Sequence, residues 1–508
     1  MSRPTRHLLR PLAVLLGTAA FAVCSTLALA QSEMDLPAIG EPAGAVMSKN
    51  DEYAYGMMVH REMSAQHAII EDPETEAYIE SLGTRLAAQS QMGAAGFHYY
   101  VVNDPGINAF SVPYFIFCNY GTILAMQNES ELAAILAHET AHDTQHHIAQ
   151  DIASQGKRTL TMAAEMIAAI LIGAVGGGAP AIEGGIAAAQ GLEAQSEINF
   201  TRGEEEQADA IGMHYLSEAG FDPQGMADAF ELLEQRYGYE EGLIPKFLQD
   251  HPVTSDRIAD ARARAAQLPR PTQLPDPIDF ELIRERLRVI TAPVDFDLLA
   301  YYHRRLADNA HSLPDLYGEA VAYLHLKRPK DAVKVLAPLV DQHQSVTLLR
   351  VALGQAQVAA GEVQRGLATF AVGERLFPRD VPLTVRYAQA LIKIGHPKQA
   401  HDLLNDLFNV VEPTSRQIQL IARAASDAGD KGDAYDYMGE YYISNGNLPL
   451  ATQQLERALK VPHITYVQRE RFQARLTEVR DVIAQTLRET HGQSRNQQGG
   501  QLHELDPH

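Results

Sequence analysis

Apolar positions recur at helical spacing along most of the chain. Between Tyr53 and Gln89 they predict one or two amphipathic helices, with Tyr78, Ile79, Leu82 and Leu86 on one side. The pattern then shortens: Phe97–Val102 (FHYYVV) has strand composition, Asn103-Asp104-Pro105-Gly106 a turn, and Asn108–Ile123 predicts a strand or hairpin. From Glu131 to His147 helical spacing returns in Leu132, Ile135 and Leu136, with no Pro or Gly to interrupt it. Met166–Ile182 carries no charge over 17 residues and is rich in Gly and Ala. Gly176-Gly177-Gly178 and Pro180 break it near its end, which favours a buried hairpin or a helix dipping into a membrane surface over a span. A lid over a cleft is a further reading of the same segment.

Past a Pro-rich stretch (Leu268–Pro293) that reads as a linker followed by one helix, small residues repeat. Ala332, Gly366, Ala400 and Ala434 are spaced by 34 residues, as are Lys327, Gly361, Gly395 and Gly429, and Leu336, Phe370, Leu404 and Met438. That period, with small residues where paired helices touch, is the signature of tetratricopeptide repeats. Roughly four to five units are expected from about Asp297 to Leu487. Tyr302, Tyr323 and Tyr387 either pack between helices or line the concave face, which a solenoid offers to a protein partner. The expected division is a signal peptide at 1–30, a first domain at 31–267, linker and helix at 268–296, repeats at 297–487 and a disordered polar tail at 488–508. The fold class is mainly α: an α+β domain with a small sheet, then an α-solenoid.

Bulk properties narrow the partners. At 508 residues the chain exceeds one core, and 46% apolar content is that of a globular protein. Net charge is -22 with no basic run beyond the N-terminus, which argues against nucleic acid as a partner. Arg3, Arg6 and Arg10, the apolar Leu12–Val23 and Ala28-Leu29-Ala30 resemble a secretory signal with its cleavage site. A lipoprotein signal would use Cys24 instead. Cleavage leaves Cys118 alone, so neither a disulfide nor a cysteine zinc cluster is available.

Candidate chemistry sits in the helix at Glu131–His147, where His138, Glu139 and His142 spell H-E-x-x-H. Positions i and i+4 share a helix face, so two imidazoles there can grip one zinc ion while the glutamate deprotonates a water. The alternative is a pair of solvated or carboxylate-capped helix histidines.

An N-A-F segment (Asn108–Phe110), an aromatic strand ending at Gly121, the run Glu129–Ala134 and H-E-x-x-H follow in that order. This succession resembles the zinc metallopeptidase family that includes HtpX and the CAAX prenyl proteases, whose secreted BepA-type members carry helical repeats downstream. The resemblance implies a zincin-like first domain, one zinc ion, and a substrate backbone received by the strand before the zinc helix. It places the third ligand at Glu205, in the E-x-x-A-D of Asn199–Pro223, with Asp209 orienting a ligand histidine. His251 and Arg257 match family positions that help bind the tetrahedral intermediate; a neutral His251 reaching the metal would instead hold the enzyme latent. His146 and His147 read as helix-surface or supporting residues. One departure stands out: Pro113-Tyr114-Phe115 replaces the family's P-G-G, which predicts a narrower cleft.

The expected function is a periplasmic zinc endopeptidase acting on misfolded or stalled outer-membrane proteins, recruited to their assembly machinery by the repeats. The substrate class and machinery are what the resemblance implies. Three rivals stay open: a repeat-based adaptor or chaperone with a shut site, a membrane-embedded protease anchored by 166–182, and a structural zinc.

Overall fold

The computed structural model describes residues 48–154, 201–237, 246–271 and 278–501. The expected signal peptide, the 166–182 segment and the last seven residues lie outside these. Helix α1 (Lys49–Ala65) starts from a capping box between Ser48 and Asp51, and α2 (Pro73–Ala87) from the Asp72 cap with proline at its first position. Strands β1 (His98–Val102), β2 (Ala109–Val112) and β3 (Phe115–Asn119) form a sheet in the order β1-β3-β2. β1 runs parallel to β3 and β2 antiparallel to it, so β2 is an edge. Alternation sends Tyr99, Val101, Ala109, Ile116 and Cys118 into the main core, while Phe115, Phe117 and Val112 pack beneath α1.

The β2–β3 turn is Pro113-Tyr114, and Tyr114 takes a left-handed φ of 69° that favours glycine. Its N–H donates to Asp143 Oδ2 at 2.6 Å. Its ring packs on Tyr53 and Phe97, and Phe115 packs on Tyr53, His60 and His98. Both rings are thus engaged in packing against α1 and the sheet.

After α3 (Tyr120–Ala125), α4 (Glu129–Thr144) is buried on every side from Glu129 to Asp143. The sheet and α2 lie against it, with α6 (Arg202–Glu218) and α7 (Gln224–Tyr237) on its other flank. α6 approaches backbone to backbone: a Cβ added at Gly212 would lie 3.0 Å from the Ala137 carbonyl and the His138 nitrogen. α5 (His147–Ser154), α8 (Lys246–Asp250) and α9 (Ser255–Ala265) complete this half.

The helix after the Pro-rich stretch, α10 (Ile278–Ile290), is no free tether. Phe280, Leu282, Ile283, Leu287 and Val289 are buried in the same core as α4, and that core continues into α11 (Leu298–Asp308), α12 (Leu313–His325), α13 (Pro329–Gln342) and α14 (Thr347–Ala359). Helix pairs follow: α15 (Val363–Leu376), α16 (Val381–Lys393), α17 (Pro397–Phe408), α18 (Ser415–Asp427), α19 (Lys431–Ser444) and α20 (Leu448–Lys460). The turn residues Lys327, Gly361, Gly395 and Gly429 are all left-handed, at φ 59°, 86°, 84° and 89°, which explains glycine at three of the four positions. Tyr302 and Tyr387 are packing residues; Tyr323 is half-buried, with Arg328 over its ring. The last helix, α21 (Tyr466–Gln501), crosses the boundary drawn at 487, since no proline interrupts its backbone before Pro507. Among the described residues no helix is long and apolar enough to cross a membrane.

A buried charge cluster ties the repeats to α2. Arg286 of α10 donates to both Asp72 oxygens (2.6 and 2.7 Å), and Arg386 of α16 to Asp72 (2.9 Å) and Glu74 (2.6 Å).

Candidate functional site

Asn128 caps α4 by accepting from Glu131 N, and two turns on the helix delivers His138, Glu139 and His142, all fully buried. Their Nε2 atoms converge: His138 and His142 lie 3.0 Å apart. α6 starts from a Thr201–Glu204 capping box, and its first turns bring Glu205 and Asp209 onto the face pressed against α4. Glu205 Oε1 is 3.3 Å from His142 Nε2, and Oε2 is 3.6 Å from His138 Nε2. His251, just past α8, places Nδ1 2.8 Å from Glu205 Oε1 and 3.3 Å from His138 Nε2. His138, His142, Glu205 and His251 thus offer four atoms within 4.8 Å of one another, a set suited to a metal ion.

The electrostatics follow from burial. It pushes the Glu205 carboxyl up, but His251, His142 and His138 outweigh it and hold the group well below the carboxylate range. Burial drives His142 well below its ordinary value, which keeps the imidazole neutral as a ligand requires. His251 is raised despite burial, because Glu139 and Glu205 face it. Both oxygens of Glu139 are buried with no hydrogen-bond partner among the described residues; its nearest charged neighbour is His251 Nε2 at 3.5 Å. A carboxylate so stripped of partners is costly unless something else is meant to occupy the space beside it.

Behind the first contacts stands a second set. Asp209 Oδ1 lies 3.0 Å from His138 Nδ1. Arg257, at the start of α9, grips Asp209 through Nε and Nη2 (2.7 and 2.8 Å), and its Nη1 reaches Pro252 O (2.9 Å) and Glu205 Oε2 (2.6 Å). The guanidinium also lies 4.9 Å above the Phe230 ring. Three of its five N–H bonds are spent on Asp209 and Pro252 O, and the ion pair with Glu205 makes Arg257 a brace between two carboxylates.

All seven residues singled out from sequence come together: His138, Glu139, His142, Glu205, Asp209, His251 and Arg257. Of the two alternatives open for His147, helix surface or supporting residue, its position fits the second: it is fully buried with Nδ1 2.9 Å from His142 Nδ1. The signal was an extra histidine five residues past His142. His146, by contrast, is partly exposed and paired with Glu52 at 3.0 Å.

Residues 73–265 match the model of peptidase family M48. The chain is 30% identical over 460 residues to the putative β-barrel assembly-enhancing protease of Vibrio cholerae serotype O1, covering 89% of this chain and 94% of that protein. Against the β-barrel assembly-enhancing protease of Yersinia pestis the identity is 29% over 461 residues, covering 88% and 91%. The mitochondrial metalloendopeptidase OMA1 of Schizosaccharomyces pombe is similar over a shorter stretch, 30% over 198 residues, or 36% of this chain and 51% of that one.

Proposed function

Because the chain belongs to peptidase family M48, as a relative of the β-barrel assembly-enhancing proteases, we propose that it is a zinc endopeptidase of the periplasm acting on misfolded or stalled outer-membrane proteins. The observation that carries this is the convergence of His138, His142 and Glu205 beside the Glu139 carboxylate, which has no hydrogen-bond partner among the described residues. In this reading the three are the ligands, and the donor set fits zinc: two neutral imidazoles and one ionised carboxylate, each backed by a second contact. Bound there, zinc supplies Lewis acidity at the scissile carbonyl and lowers the pKa of water to about 7.

The protein's own groups do the rest. Glu139 takes the proton from the attacking water and hands it to the departing amine. Asp209, held by Arg257, keeps the His138 ring in place through Nδ1. His251, whose affinity for a proton is raised by Glu139 and Glu205, donates to the oxyanion as charge develops. The strand before the zinc helix, β3, is paired on both sides and cannot receive the substrate backbone expected there. The edge strand β2 accepts it instead, since no described strand pairs with its outer side. The repeats supply a surface for partner proteins, in this reading the outer-membrane assembly machinery, which is in keeping with the relatives' name of β-barrel assembly-enhancing protease.

A second reading has its own observation. With Nδ1 2.8 Å from Glu205 and 3.3 Å from His138, His251 stands where a fourth ligand would, and a filled fourth position would leave a scaffold with a latent site. Purified full-length protein incubated with casein or an unfolded outer-membrane barrel separates the two. Active endopeptidase predicts cleavage lost with chelator, restored by zinc and absent in Glu139→Gln. A latent scaffold predicts little cleavage until His251→Ala opens it. Cleavage that survives chelation contradicts both.

A further inference from the structure

His147 has no part in the roles assigned so far, yet its ring is locked against a ligand. The imidazoles of His142 and His147 meet edge-on, with centroids 4.9 Å apart at 74°. Two Nδ1 atoms at 2.9 Å share one proton, so one ring donates and the other accepts. The far side of His147 decides which. Its Nε2 is 3.1 Å from Gln207 Oε1, and Gln207 Nε2 donates to Gln145 Oε1 at 3.2 Å. An amide oxygen only accepts, so His147 carries its proton on Nε2 and turns a lone pair toward His142. His142 is then protonated on Nδ1, and its bare Nε2 faces His138 and Glu205. That is the tautomer a metal ligand needs.

The backbone is bent to make this contact. The chain leaves α4 at Gln145 and reverses at His146, whose φ of 55° is uncommon for any residue but glycine. Glu52, reaching over from α1, holds the His146 ring at 3.0 Å, and α5 begins at the next residue, returning His147 onto α4.

We propose that His147 is a positioning residue for the metal ligand His142: a neutral acceptor behind one imidazole, its tautomer set by Gln207. It is the counterpart of Asp209 behind His138. Asp209 is a carboxylate already matched by Arg257. The inference rests on the metal-site reading above.

The test uses the full-length protein and reads zinc affinity by competition with a chromophoric chelator, beside the visible spectrum of the cobalt(II)-substituted site. Melting of the metal-free variants checks their fold. His147→Leu is expected to weaken zinc binding about 10–100-fold and to change the cobalt spectrum. In His147→Asn an amide oxygen falls near the position of Nδ1, so binding is expected within about threefold of the parent, the acceptor being kept. Gln207→Leu, which releases the tautomer without touching the His142 contact, falls between them. Unchanged affinity in His147→Leu overturns the proposal, as does a His147→Asn that binds as poorly as His147→Leu while melting normally. Should His147→Leu not fold, an unchanged affinity in Gln207→Leu overturns it instead. A parent protein that binds no zinc at all would sink the metal-site reading, a separate outcome.

Discussion

Replacing Arg386 with leucine tests whether the repeats and the peptidase half stand or fall as one unit. Two carboxylates, Asp72 and Glu74, face two guanidiniums, Arg286 and Arg386, in a cluster whose side chains are 1–16% exposed. Burial pushes the Asp72 carboxyl up, but the two arginines hold it below the carboxylate range, so its share of stability is present at neutral pH and lost as pH falls. Removing Arg386 leaves one buried negative charge without a counter-charge, which costs about 3–5 kcal/mol. The main core runs from Ile79 to Ala356 and the next, Val351 to Tyr437, shares α14 with it, so the described residues, roughly 400, are expected to unfold together. At about 2 cal/mol/K of unfolding entropy per residue, the loss lowers Tm by about 4–6 °C. Circular dichroism melts of the full chain measure it. The companion Arg386→Leu/Glu74→Leu restores neutrality and is expected to regain at least half the loss, since coupled residues do not add. A fall under about 1 °C for the single variant, or a double variant worse than the single, would refute the reasoning.

Other consequences are nearer the site or along the same seam. Asp209→Asn withdraws the carboxylate behind His138 and is expected to weaken zinc binding about 10–100-fold, read by chelator competition. Burial raises Glu80 to about 7 and, with Asp72 and Glu71 beside it, Glu76 to about 8. A carboxyl raised in the folded state stabilises below its ordinary pKa and loses that contribution as pH climbs through the folded value. Tm is therefore expected to decline between about pH 5 and about pH 8.5, and less steeply in Glu76→Gln/Glu80→Gln. Tyr114→Gly relieves about 1 kcal/mol of left-handed backbone strain. It also gives up ring contacts with Tyr53 and Phe97, each worth about 1 kcal/mol, so a net loss of about 1 kcal/mol is expected in denaturant unfolding.

What the residues disclose by themselves depends on how far each argument must reach along the chain. His138 and His142 are legible because helical geometry alone puts them on one face. The repeats are legible because a 34-residue period needs only counting, and the left-handed φ at Gly361, Gly395 and Gly429 gives those glycines their reason. Glu205 and Asp209 needed a family pattern, since nothing local marks one glutamate among three in a row. Arg257 is placed at the site by the family pattern, but its bracing of Asp209 and Glu205 is legible only in the fold, because these partners lie about 50 residues away. The contact of His147 with His142 was hidden by a backbone reversal at His146, a residue whose identity does not announce a positive φ. The Asp72–Arg386 pairing spans 314 residues and has no trace in local pattern.

The most direct test of the central claim is anomalous diffraction at the zinc edge from crystals of the full chain. The account predicts one strong peak about 2.0–2.2 Å from His138 Nε2, His142 Nε2 and a Glu205 oxygen, with Glu139 beside it and not bound to it. A peak elsewhere, or an ion held by the two histidines with Glu205 turned away and no other carboxylate in its place, would contradict it.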